Sequence, residues 1–172
     1  MDSGLADFIE LHGDAIVEQA IAFARTVEVG KPLDVVELRD HLPDIIEKIV
    51  ADLRTSQTRA QEIEKSEGRA QTPLGQARSA AATHALHRAH SGYSVSDLVS
   101  EYRALRASVL RLWADRAHEA SARPEEITRF NEAIDEAIAE SVCYYAEEVE
   151  RWRNIFLGVL SHALRSRSAP SC

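Results

Sequence analysis

Cysteine is nearly absent from this chain of 172 residues: Cys143 sits inside a helical pattern and Cys172 is the last position. Two such distant thiols exclude the disulfide framework of a small secreted domain and point to a reducing, cytoplasmic setting. Glycine and proline are scarce at 7 and 5 residues, too few for the many turns of a sandwich or barrel. No apolar run approaches the ~20 residues of a membrane span. The acidic stretch 1–11 lacks the basic start of a signal peptide. Basic residues are outnumbered, 20 against 28 acidic, giving a net charge of −8. The average surface therefore repels phosphate backbones, which argues against nucleic acid and for a protein partner. The length leaves room for one compact domain plus a signalling element, but not for a large multidomain catalytic fold.

What is present is a helical composition rich in Ala, Leu, Glu and Arg, with 45% hydrophobic and 28% charged residues, so the expected class is all-α with a packed core. Leu5, Phe8, His12, Ile16, Ala20, Phe23 and Val27 recur at steps of three and four, one stripe of a first helix. Gly30 and Pro32 break it. Asp34 suits the cap of a second stretch, and Pro43 the first turn of a continuation carrying Ile45, Ile46, Ile49, Val50 and Leu53. The interval from Thr55 to Pro73 is polar, a solvated helix or a connection. Thr72 and Pro73 open a third segment that runs to His90, its alanines allowing close helix approach, and Ser91 and Gly92 end it. Ser94 with Asp97 three residues on resembles a capping box for a core helix carrying Val95, Leu98, Tyr102, Leu105, Val109 and Leu112.

After the polar interval from His118 to Arg123, Pro124, Glu125 and Glu126 start a last helix. Without Pro or Gly before Gly158, it is expected to run about 40 residues, roughly 60 Å, and to project from the domain. Its apolar positions Ile134, Ile138, Val142, Tyr145, Val149, Trp152, Phe156 and Val159 become heptad-like in the later part. Burying that seam against the same helix of a second chain predicts a parallel homodimer; packing across its own domain is the alternative. Tyr144 and Tyr145 belong either to such a seam or to the cover of the domain. The expected organisation is a helical sensory domain over 1–122, a long signalling and dimerisation helix over 123–168, and a short tail over 169–172.

Two local patterns resemble known families. The segment from His87 to Arg106, His87-Arg88-Ala89-His90-Ser91-Gly92-Tyr93-Ser94 and onward, continuing to Leu112-Trp113, resembles the RsbRD-type N-terminal sensory domain of stressosome proteins and some soluble sensor kinases. The resemblance implies a helical, globin-like bundle, dimeric, without haem, and serving signal input rather than catalysis. The segment Phe156-Leu157-Gly158-Val159-Leu160-Ser161-His162-Ala163-Leu164-Arg165 resembles the H-box of a histidine kinase dimerisation domain. By that resemblance His162 is the candidate phosphoacceptor. The carboxylate that this family places after the histidine, where it would hold the imidazole and take its proton, is replaced by Ala163. Ser166-Arg167-Ser168 stands where the family has Thr-Pro-Leu, and neither a second bundle helix nor a glycine-rich ATP-binding segment follows. The expectation is a non-enzymatic input domain, with a histidine kinase or stressosome component as its partner. Three origins fit: an input domain that lost its kinase, a truncated kinase gene, or a stand-alone docking partner.

The remaining constellations are weaker. Glu101, Arg103 and Arg106 are candidates for a small-molecule or partner groove, or equally for an intrahelical salt-bridge face. His84, His87 and His90 form an H-x-x-H-x-x-H run in which the first two could share a metal or a haem edge. That haem- or metal-binding sensor is the alternative function, with a structural adaptor for a separate kinase as another. The leading reading takes these histidines as polar surface or interface groups and expects no cofactor. His12 and His41 are expected to be structural. Ser161 and His162 point about 100° apart on a helix and make no nucleophile–base pair.

Overall fold

A computed structural model describes residues 4–27, 39, 41–55, 63, 79–115 and 123–167. Six helices account for nearly all of these: α1 Leu5–Leu11, α2 Gly13–Val27, α3 Leu42–Arg54, α4 Ala80–His90, α5 Val95–Asp115 and α6 Pro124–Arg167. No strand occurs among the described residues, so the fold is all-α. The expected caps at Asp34 and the breaks at Gly30 and Pro32 lie outside the described residues.

The expected single first helix is divided at His12, whose backbone (φ −114°, ψ 15°) leaves the helical region. Its N–H still bonds Phe8 O at 3.0 Å and its carbonyl accepts from Ile16 N–H at 3.0 Å, so the inward stripe continues across the turn. Leu5, Phe8, Ile9, Ile16, Val17, Ala20 and Ile21 are buried. Phe23, expected on that stripe, is instead 43% exposed. A second correction concerns α4, which starts at Ala80 rather than running unbroken from Thr72. Ser79 is extended, and its Oγ accepts the Ala82 N–H at 3.1 Å, a side-chain cap that starts the helix at Ala80.

The exit from α4 follows the sequence reading. Tyr93 N–H reaches Arg88 O at 3.0 Å and Gly92 N–H reaches Ala89 O at 3.1 Å, the paired bonds of a Schellman stop, with Gly92 at φ 79° supplying the left-handed residue. The Tyr93 ring lies 4.9 Å under the Arg88 guanidinium and closes the motif. The Ser94 box is reciprocal: Ser94 N–H donates to Asp97 Oδ2 at 2.9 Å and Asp97 N–H to Ser94 Oγ at 3.2 Å. The Ser94 hydroxyl, which donates to Asp97 Oδ2 at 2.7 Å, and then the Ser94 N–H hold the Asp97 carboxyl below its ordinary pKa.

The core lies where α2 packs along α5 and α4 along α6, with α1 and α3 closing the sides. Leu98, Tyr102, Leu105 and Val109 fill it from α5, Ile45, Ile46 and Ile49 from α3, and Phe130, Ala133 and Ile134 from α6. Trp113 meets Phe8 edge-on at 4.8 Å and ties α5 to α1. Each large side chain so buried contributes about 1.5–3 kcal/mol.

Helix α6 has two halves. Its 44 residues span about 66 Å, close to the length expected from the lack of Pro or Gly before Gly158, and the helix runs through that glycine to Arg167. The first half belongs to the packed body: Phe130, Ile134, Ser141 and Glu148 are buried, and Arg129 donates to the carbonyls of Asp52 and Thr55 at 2.6 and 2.7 Å, capping the end of α3. Tyr145 bonds Tyr93 O through its hydroxyl at 2.6 Å, so the tyrosine pair covers the domain. Beyond Glu148 every residue with a described side chain is exposed.

Candidate functional site, a buried polar network and an exposed rod

Between α4 and α5 the core holds ionisable groups in place of hydrocarbon. His84, Arg88 and Glu101 are all buried. Spacing of four puts His84 and Arg88 on one face of α4, and Glu101 meets both from α5. The Arg88 Nε–H donates to Glu101 Oε1 and Oε2 at 3.0 and 2.9 Å, and His84 Nε2–H donates to Oε2 at 3.0 Å. An isolated carboxylate would be very costly in such surroundings, and the two donors make its burial tolerable. Burial lowers the His84 pKa, against the opposing pull of Glu101, so the ring resists taking a second proton.

The network reaches α6 through the next residue. Tyr102, buried beside Glu101, lies 2.7 Å from Ser141 Oγ, and Ser141 donates to Ala81 O at 2.9 Å. Because the serine proton is used on that carbonyl, the Tyr102 hydroxyl is the donor to Ser141. Burial pushes the phenol pKa well above its ordinary value. Two adjacent polar sets thus tie three helices: His84 and Arg88 of α4 hold Glu101 of α5, and Tyr102 of α5 meets Ser141 of α6, which bonds Ala81 O of α4. The sequence reading missed this cluster, because Glu101 comes from a different helix and no fixed spacing links it to His84.

The three histidines of the H-x-x-H-x-x-H run go to three different neighbours. His84 is buried between α4 and α5, a correction to the expected polar surface or interface position. His87 Nδ1 lies 3.1 Å from His41 Nε2, an arrangement in which at least one ring is neutral. His90 Nε2 lies 3.1 Å from Glu148, and its ring stacks on Trp152 at 5.1 Å. That contact draws the Glu148 carboxyl below its ordinary pKa, and Arg151 also pairs with it. Among the described residues no group of three or more His, Cys, Asp or Glu could hold a metal. His12 packs against the Phe8 ring at 4.5 Å.

Glu101, Arg103 and Arg106 do not converge. Glu101 faces α4, Arg106 pairs with Asp135 of α6, and Arg103 turns to a groove between α2 and α5 that it lines with Phe23, Ser100 and Arg111. Arg103 and Arg106, three residues apart, are neighbours on the helix surface but take different partners, whereas Glu101 lies on the far side of the axis.

Past the His90–Glu148–Trp152 contact, α6 becomes an exposed rod. Ile155, Phe156, Val159 and Leu164 are 59–66% exposed, with Trp152, Leu157 and Leu160 less so. His162 lies on this rod and is exposed, and the Ser161 hydroxyl donates to Leu157 O at 2.8 Å rather than to the imidazole. Cys143 is a free, exposed thiol. Among the described residues no helix is long and apolar enough to cross a membrane.

Helix α6 is thus tied along its first half to an all-helical body and projects beyond it. Residues 14–155 match the RsbT co-antagonist protein rsbRD N-terminal domain, and the chain belongs to that family. The match takes in the body from α2 onward and the start of the rod, whereas α1 and the H-box-like segment from Phe156 lie outside it. No curated protein and no solved structure matches the chain.

Proposed function

We propose that the protein is the signal-input domain of a bacterial stressosome-like or two-component pathway, acting as a parallel homodimer and not as an enzyme. The family carries the sensory and regulatory class, and one observation supports the finer reading. A single helix is anchored in the core by Phe130, Ile134 and Ser141, yet exposes Phe156, Val159 and Leu164 farther along. An apolar seam of that kind is unfavourable in water, and pairing with the same seam of a second chain removes it. A signal that changes how α4 and α5 seat α6 then changes how the rods pair, provided that it binds the two arrangements unequally. Phosphoryl transfer is left to a partner histidine kinase or stressosome component in the cytoplasm.

The mass by light scattering tests this reading. The account expects a dimer at tens of micromolar and a monomer for Val159→Glu, with equal helix content in the folded body. A wild-type monomer would overturn it. His162 as a phosphoacceptor is a separate proposal, resting on its exposure along the rod. Incubation with a cognate kinase should label wild type and not His162→Gln, and equal labelling of both would remove it.

A further inference from the structure

A pocket of about 170 Å³ lies where α3, α4 and α6 meet, lined by Ile45, Ile49, Ala81, Ala133 and Ala137, with Lys48, Asp52 and Glu136 at its mouth. Its α4 and α6 walls are alanines, small side chains that leave space opposite Ile45 and Ile49 of α3. Four of the wall residues, Ile45, Ile49, Ala81 and Ala133, are buried, so the floor is aliphatic while the mouth is charged. We propose that this pocket binds a small neutral apolar molecule, an aromatic ring or short hydrocarbon on the scale of benzene or indole.

Size, polarity and charge each narrow the ligand. An apolar cavity of about 150 Å³ is enough for benzene, so this pocket takes about six to nine heavy atoms and excludes a haem or a nucleotide. Its floor offers aliphatic carbon, where water forms few hydrogen bonds and is readily displaced. The mouth carries more acidic than basic groups, and the Lys48 Nζ is already 3.4 Å from Glu140 Oε2, which disfavours an anion. The position matters as much as the chemistry. Ala133 and Ala137 belong to α6, and Ser141, one turn farther on, bonds Ala81 O on the opposite wall. An occupant therefore touches the anchored half of α6 and the helix on which it rests. That the occupant is the signal rests on the input reading above, whereas its binding does not.

Titration with indole, followed by methyl NMR of the full chain, is the test. Saturable shifts of the Ile45, Ile49, Ala81 and Ala133 methyls are expected, weakened about tenfold or more in Ala137→Leu, whose added carbons occupy the space. Absence of saturable shifts at the solubility limit of indole, shifts centred elsewhere, or undiminished binding in a folded Ala137→Leu would overturn the site. If that variant does not fold, the wild-type shift map alone decides by the same criteria. Light scattering with and without indole separates the two claims: a changed dimer population supports the pocket as input, and saturable binding with an unchanged population keeps the site and overturns its signalling role.

Discussion

The two halves of α6 have similar helix-forming sequences and opposite surroundings. From Phe130 to Glu148 each inward residue meets its own chain: Phe130, Ala133 and Ile134 meet hydrocarbon, Ser141 a hydroxyl and a carbonyl, Glu148 an imidazole and a guanidinium. From Val149 to Leu164 residues at least as apolar meet solvent within one chain. The inner half is thus held by its own chain, and the outer half presents its apolar residues to solvent. Local propensity makes the whole helix, and only tertiary packing distinguishes its halves.

That contrast is open to direct attack. Phe130→Ala should cost the body about 3–5 kcal/mol in denaturant unfolding, whereas Phe156→Ala should leave unfolding of the monomeric body within about 0.5 kcal/mol; equal losses would erase the distinction. Polar contacts should divide in the same way. Glu101→Ala strands the buried Arg88 and His84 and should destabilise by about 3–5 kcal/mol, while Arg153→Ala, which removes an exposed pair with Glu150, should change stability by less than about 0.5 kcal/mol. A smaller effect is expected where α5 meets α6: Tyr102→Phe deletes one donor and leaves Ser141 bonded to Ala81 O, for a loss of about 1 kcal/mol.

The mildest test is pH. Burial lowers the folded-state pKa of His84 below its ordinary 6.5, so the unfolded chain binds a proton that the folded chain refuses. The stability contributed by the neutral buried ring is fully present above that ordinary value and is lost as pH falls from it toward the folded pKa. Unfolding midpoints taken at descending pH should decline for wild type and decline less for His84→Gln; parallel curves would show that this ring does not carry the dependence.

Local signals were legible in the sequence. Pro43 and Pro124 mark helix starts, Ser91-Gly92 a stop and Ser94–Asp97 a cap, because each acts through bonds to its immediate neighbours. The α6 helix was legible through the lack of Pro or Gly between Pro124 and Gly158. Less legible was whatever depends on a second element. The His12 turn kept the hydrogen-bond register, so periodicity ran through it, and the Ser79 cap was masked by the alanine-rich helix pattern around it. The His84–Arg88–Glu101 cluster needs two helices docked in register before it exists. Glu101 was marked as a site residue, but with Arg103 and Arg106 as companions, which the helix turns away from it.

The central claim, that the outer halves of two α6 helices lie side by side and parallel, is tested most directly by a distance. With Cys143 and Cys172 replaced by serine, a spin label at Ser161→Cys reports the separation between the two rods. Helix axes about 10 Å apart would hold the labels within about 30 Å, and one narrow distribution in that range is predicted. Absence of dipolar coupling under conditions where the chain is folded would contradict the account.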